Sequence, residues 1–119
     1  MRTLLRSDSD QVVWWGTRPE CISALARKGR ERAINPMGEA QARVLLFQLS
    51  RSWNEVQPSN RIRTLAEGFL DAHPLKAADA LQLAAAFVWC AGLTLNREFV
   101  CLDRQLSSAA TTEGFTVIS

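Results

Sequence analysis

The sequence predicts one α/β domain around a mostly parallel sheet, because strand-like runs alternate with helical segments along its 119 residues. Two runs rich in β-branched and aromatic residues support this prediction, QVVWWG at residues 11–16 and EFVCL at residues 98–102. Between them, apolar residues recur at the three- and four-residue spacing of helices. A chain of this length forms one domain with one core.

Four strands are expected, and they make a thin sheet. QVVWWG follows the turn-forming segment SDSD, and a short strand covers Glu55 and Val56. EFVCL is the second clear strand, and FTVIS at residues 115–119 is the last. Helices could cover both faces of a four- or five-stranded sheet, but only two of these strands are clear, one is terminal and the one at Glu55 and Val56 is doubtful. The chain also begins with a polar turn that leads directly into a strand, so we expect a strand to be missing at its front.

Five helices are expected, and local signals mark several of their ends. Thr17 as N-cap with Glu20 three residues later is typical of a helix start. The pair His73–Pro74 ends the third helix, because the residue before a proline disfavours the helical region. Gly92 is the expected C-cap of the fourth helix. In chain order, the expected ranges are about 17–29, 38–53, 60–73, 76–91 and 104–112.

Composition argues against several classes of protein. The formal net charge of +2 is too small to indicate nucleic-acid binding by itself. Three cysteines in apolar sequence without CxxC spacing favour reduced, buried thiols over disulfides or a zinc site. No signal peptide is recognisable, and no apolar run reaches the roughly 20 residues that span a bilayer. We therefore expect a soluble, cytoplasmic protein without a membrane partner.

Basic residues cluster around Gly29, and two interpretations of them stay open. Such a cluster either complements the dipole at the end of a helix or contacts the phosphates of a nucleic acid. Its members are Arg27, Lys28, Arg30 and Arg32.

A single carboxylate interrupts the apolar stretch AADALQLAAAF at residues 77–87. A helix that is apolar nearly all round is a buried helix, and aspartate is rarely buried without a partner. Asp79 either benefits from the positive end of the helix dipole or binds a cation. The helix dipole explains the position of Asp79 at the start of the helix but not the apolar residues around it, which favour the cation.

Three acidic residues fall where ligands gather in parallel sheets, at the carboxyl ends of strands. Glu20 follows the first strand, Asp103 follows EFVCL, and Asp79 lies near the start of the fourth helix. At about 5 Å and an effective dielectric constant near 20, each pair of such carboxylates repels by about 3 kcal/mol. Their convergence therefore favours a hard cation such as Mg²⁺ or Mn²⁺. The alternatives are a capping box at Glu20 and an N-cap at Asp103.

Three segments closely resemble PIN-domain proteins, specifically the VapC-type toxins of bacterial toxin–antitoxin pairs. HPLKAADALQLAAA and EFVCLDRQLSSAATTEGFTVI resemble the C-terminal half of that family. VVWWGTRPECISALARK resembles its second strand and following helix. The resemblance covers residues 11–119, and the DALQLAAA element together with Asp103 is its most specific part.

The resemblance implies a three-layer α/β/α sandwich and a Mg²⁺-dependent endoribonuclease, with Mn²⁺ as a possible substitute. By position, Glu20, Asp79 and Asp103 match the second, third and fourth acidic residues of the family, so they would be both catalytic residues and metal ligands. The implied partners are an RNA substrate, a cognate VapB-like antitoxin and a second copy of the chain. The alternative is a catalytically impaired PIN-like module that still binds an antitoxin or itself.

The chain departs from the family pattern at its amino terminus. The family opens with a central strand that ends in Asp followed by Thr or Ser, and this strand supplies the first metal ligand. Here Asp8 and Asp10 lie in a turn without an apolar strand before it, and Cys101 stands where the family often has Thr or Ser. We therefore expect residues 1–119 to form an N-terminally truncated PIN-like domain. Such a domain should be poorly stable, bind Mg²⁺ weakly, or complete its sheet with another chain.

Overall fold

The computed structural model describes residues 11–118, so the expectations for Asp8 and Asp10 lie outside the described residues. Within this range, five helices and four parallel strands confirm the predicted α/β class. In chain order, the elements are β1 (Val12–Trp14), α1 (Thr17–Arg30), α2 (Pro36–Ser50), β2 (Asn54–Val56), α3 (Asn60–Ala72), α4 (Ala77–Trp89), β3 (Glu98–Val100), α5 (Arg104–Thr112) and β4 (Thr116–Ile118).

The strands form two separate parallel pairs instead of the single sheet expected from the sequence. β1 pairs with β2, with Val13 opposite Glu55. β3 pairs with β4, with Phe99 opposite Val117. The expected sheet is divided because, within residues 11–118, no strand pairs with the second edge of β1 or of β3.

The register of β1 defines which of its backbone groups face away from β2. Trp15 N donates to Val56 O at 3.0 Å, so the odd-numbered residues of this segment bond to β2. Since a parallel ladder uses alternate residues, the backbone groups of Val12 and Trp14 point to the opposite side. The Trp14 side chain is nevertheless buried.

β3 has the same arrangement on its own pair. Cys101 N donates to Ile118 O at 3.0 Å, so the backbone groups of Val100 point away from β4. Val100 is also buried. Each strand pair therefore has one edge, on β1 or on β3, with which no strand of residues 11–118 pairs.

The start of α1 differs from the prediction. Gly16, not Thr17, is the N-cap, and Glu20 N donates to Gly16 O at 3.2 Å. Thr17 is the first helical residue, and its hydroxyl is buried without a hydrogen-bond partner. The expected capping box is therefore wrong, because the chain turns from β1 into the helix one residue earlier. Gly29 lies inside α1, where the side chain of Glu39 approaches it closely from α2.

The other helix starts follow local signals. Asn35 caps α2, which begins two residues before the expected position because Pro36 occupies its first turn. Ser59 caps α3, and its Oγ accepts a hydrogen bond from Ile62 N at 3.2 Å. α3 ends at Ala72, as the sequence predicted.

The fourth helix lies at the centre of the core. Ala80, Leu83 and Ala84 have no exposed surface, and α4 packs against both α3 and β1. Small side chains on this face allow the close approach of its neighbours. Among the helices that the structure describes, none combines the length and the apolar character needed to cross a membrane.

Candidate functional site

Glu20 lies in the first turn of α1, just beyond the carboxyl end of β1. Its side chain is half-buried, and burial raises the pKa of its carboxyl group. The Asp79 carboxylate raises this pKa further. Glu20 and Asp79 are therefore close enough to repel each other.

Asp79 is the third residue of α4 and is also half-buried. Burial raises the pKa of its carboxyl group, and the Asp103 carboxylate adds to this rise, while the Lys76 ammonium group opposes it. Asp79 thus interacts with both of the other predicted acidic residues. The sequence-based grouping of Glu20, Asp79 and Asp103 has a physical counterpart in these two repulsions.

Asp103 is exposed and lies at the start of α5, after the strand β3. Its Oδ1 accepts a hydrogen bond from Leu106 N at 2.8 Å, so it is an N-cap. This bond confirms the capping alternative for Asp103.

The three carboxylates fit a metal ion in chemistry but not in geometry. Carboxylate oxygens are the ligands that Mg²⁺ prefers. However, no three Asp, Glu, His or Cys side chains between residues 11 and 118 are grouped closely enough to hold a metal ion. The described residues therefore supply a region of coupled negative charge, not a finished metal centre.

A thiol occupies the position after β3 where the resemblance leads us to expect a hydroxyl. Cys101 is completely buried, and its Sγ donates to Asp103 O at 3.3 Å. Ser107 Oγ donates to Cys101 O at 3.4 Å. The substitution leaves this turn hydrogen-bonded, so Cys101 supports the position of Asp103 through the backbone.

The sequence reasoning missed an open cleft of about 450 Å³ at the carboxyl ends of β1 and β2. Trp14 and Leu81 line it from β1 and α4, and the Pro58–Asn60 turn forms its rim. Ile62 and Arg63 line it from the first turn of α3. The sequence signal for this cleft is the Pro58–Asn60 turn directly after β2, with Arg63 one helical turn later.

The basic cluster lies at the end of α1. Arg27, Lys28 and Arg30 occupy its last turn and are exposed. Arg32 follows the helix in the left-handed region, with φ of 59°. The first three positions favour the dipole interpretation, since cations stabilise the carboxyl end of a helix.

Apolar side chains are exposed along α2. Val44, Leu45, Phe47 and Leu49 are each 44–57% exposed, and only Leu46 of this helix is buried. The Arg18 guanidinium lies 4.2 Å from the centre of the Phe47 ring. A nearly continuous apolar surface of this kind is typical of a contact with another protein.

Comparison with known proteins adds no relatives. No family model matches the chain, and no significant match was found among curated proteins or solved structures.

Proposed function

We propose that this chain is a PIN-like endoribonuclease of the VapC type that hydrolyses RNA with Mg²⁺ or Mn²⁺ in the cytoplasm. One observation carries the proposal. Asp79 is electrostatically coupled to both Glu20 and Asp103, and the resemblance assigns these three residues to the nuclease site. Carboxylates with raised pKa values beside the ends of strands are typical of functional sites.

The proposal requires a further oxygen ligand. The carboxylates of residues 11–118 do not form a group of three ligands, so water or RNA phosphate oxygens would have to complete the coordination of Mg²⁺ at these residues. The resemblance places the missing acidic residue on a strand that residues 11–118 lack. The raised pKa values of Glu20 and Asp79 suit groups that accept a proton from water nearer to neutral pH than ordinary carboxylates do.

The test is RNA cleavage by the full chain. We expect cleavage in Mg²⁺ or Mn²⁺, none in EDTA, and a rate lower by about 100-fold or more in Asp79→Asn, as for loss of an acid–base group. Asp71→Asn is the matched control, because Asp71 is exposed near the end of α3 and outside the acidic group. Cleavage that survives both EDTA and Asp79→Asn would contradict the proposal.

A second function is favoured by the incomplete metal geometry and by the exposed apolar residues of α2. In this alternative, the chain is a PIN-like binding module that lacks nuclease activity and binds an antitoxin or a second copy of itself. The cleavage experiment distinguishes the two functions. Absence of cleavage, together with co-purification of a small partner or formation of a dimer, would favour the binding module.

A further inference from the structure

The cleft beside Trp14 combines an apolar wall with one oriented cation. Its interior is formed by Trp14, Ile62 and Leu81, of which Trp14 and Ile62 are buried. A concave site of a few hundred cubic ångströms with apolar walls and few polar groups is typical of small-ligand binding. This part of the cleft suits a flat, largely apolar group.

The polar side of the cleft carries positive charge. Arg63 Nη2 donates to Asn60 Oδ1 at 2.9 Å, which holds the guanidinium at the rim. Arginine has five N–H donors, so others remain available to an anion such as a phosphate. None of the residues that line the cleft is acidic. The ligand that matches both sides has a planar ring and a negative charge.

The cleft also shares a sheet edge with one of the three acidic residues. Leu81, in its wall, is two residues after Asp79 on α4, so the two side chains project to opposite sides of that helix and Asp79 itself does not line the cleft. The rim follows the carboxyl end of β2, just as Glu20 follows that of β1. A ligand in the cleft is thus at the same edge of the β1–β2 pair as Glu20.

We propose that this cleft binds one nucleotide of the RNA substrate, with the base against Trp14 and Leu81 and a phosphate on Arg63. The identification of the ligand as RNA rests on the proposed function. The chemistry of the cleft itself requires only a nucleotide, so a mononucleotide can test it without any cleavage.

The experiment is a titration of the ¹⁵N-labelled full chain with nucleoside 5′-monophosphates in EDTA, followed by NMR. We expect amide shifts at residues 59–63 and at Leu81, and affinity lower by about fivefold to tenfold in Arg63→Gln, as for loss of one charge-assisted hydrogen bond. Arg61→Gln is the matched control, because Arg61 is exposed on the same turn but does not line the cleft. It should bind as the parent chain does. Thermal unfolding of both variants verifies that they are folded.

Several results would overturn the inference. These are shifts outside the cleft, equal losses in both arginine variants, or equal affinity for inorganic phosphate or the unphosphorylated nucleoside. Tighter binding of an acidic peptide at the same amides would identify a protein segment as the ligand instead. Nucleotide binding that responds to Arg63→Gln without any RNA cleavage refutes the nuclease and retains the nucleotide site. Cleavage of RNA without nucleotide binding in the cleft refutes the nucleotide site and retains the nuclease.

Discussion

Asp79 and Glu20 place two half-buried carboxylates where their charges disfavour the folded state. Burial raises the pKa of both groups above their ordinary values of 3.8 and 4.5, and a neighbouring carboxylate, Asp103 for Asp79 and Asp79 for Glu20, raises each further. The folded chain therefore binds protons more tightly than the unfolded chain, and its stability decreases as pH rises from these values through the raised pKa values. Above that range, both charges destabilise the fold fully.

Removing either charge should stabilise the protein at neutral pH in the absence of metal. We expect Asp79→Asn and Glu20→Gln to raise the free energy of unfolding at pH 7 by up to about 1 kcal/mol, since solvent screens groups that are this exposed. The gain should shrink as pH falls toward 4. Urea unfolding between pH 4 and 7 measures it, with Asp71→Asn as the control. A loss of stability at pH 7 would show that these carboxylates support the fold.

At this scale the sequence predicted the acidic residues but not all of their roles. Asp79 stands out in the sequence because an acid in an apolar helix is unusual, and the structure places it half-buried near Asp103, which raises its pKa; a cation partner stays a prediction. The cap at Asp103 follows from its position before α5. The cap at Thr17 was wrong, because the turn out of β1 fixes Gly16 as the cap. Such a shift depends on tertiary packing, which local sequence does not encode.

The carboxyl end of α4 carries a strained residue. Ala91 N donates to Val88 O and Gly92 N to Phe87 O, which is a Schellman motif. Ala91 has a φ of 53°, in the left-handed region that costs a residue with a Cβ about 1–2 kcal/mol. The sequence predicted Gly92 as the C-cap, but the helix ends earlier, with Cys90 as its C-cap, so the left-handed position directly after the cap falls on Ala91.

Ala91→Gly should therefore stabilise the chain. We expect a gain of about 0.5–1 kcal/mol, because relief of the left-handed strain exceeds the extra entropy of glycine in the unfolded chain. Ala40→Gly is the control, since Ala40 is exposed inside α2 and should lose about 1 kcal/mol. Thermal unfolding compares the two. Destabilisation by both substitutions would contradict the strain at Ala91.

Element boundaries were predictable where short-range signals define them. α5 spans the predicted range, and α3 begins after its Ser59 cap and ends before the His73–Pro74 pair. Strand pairing was harder to predict, because each strand contributes only three residues and the partner lies far away in sequence. The cleft could not be predicted for the same reason, as its walls come from three segments that are distant in sequence.

The whole molecule has two parallel strand pairs whose second edges no strand of residues 11–118 covers. Backbone groups of Val12, Trp14 and Val100 point away from their pairs, and the side chains of Trp14 and Val100 are buried. Edges of this kind favour pairing with a strand from another chain. The small number of strands inferred from the sequence therefore leaves strand edges that another chain could cover.

We expect the stability of the chain to depend on its concentration. Completion of the strand pairs by a second chain raises the unfolding temperature at higher protein concentration through mass action. Sedimentation and thermal unfolding over a hundredfold dilution measure this effect. Val12→Lys, on the edge of β1 that faces away from β2, should reduce the dependence of stability on concentration. Thr116→Lys, at an exposed position in β4, should leave that dependence unchanged. Stability and mass that stay constant on dilution would refute the expectation.

Two buried thiols make local unfolding of the protein measurable by chemical labelling. Cys90 ends α4 and Cys101 follows β3, and both are shielded from solvent. A thiol-specific reagent reaches them only when the surrounding structure opens, so each labelling rate reports a local opening free energy. The two cysteines lie beside different elements. Their labelling rates therefore allow the opening free energy of the central helix to be compared with that of the β3–β4 pair. The cysteine that is labelled faster identifies the part of the domain with the lower opening free energy.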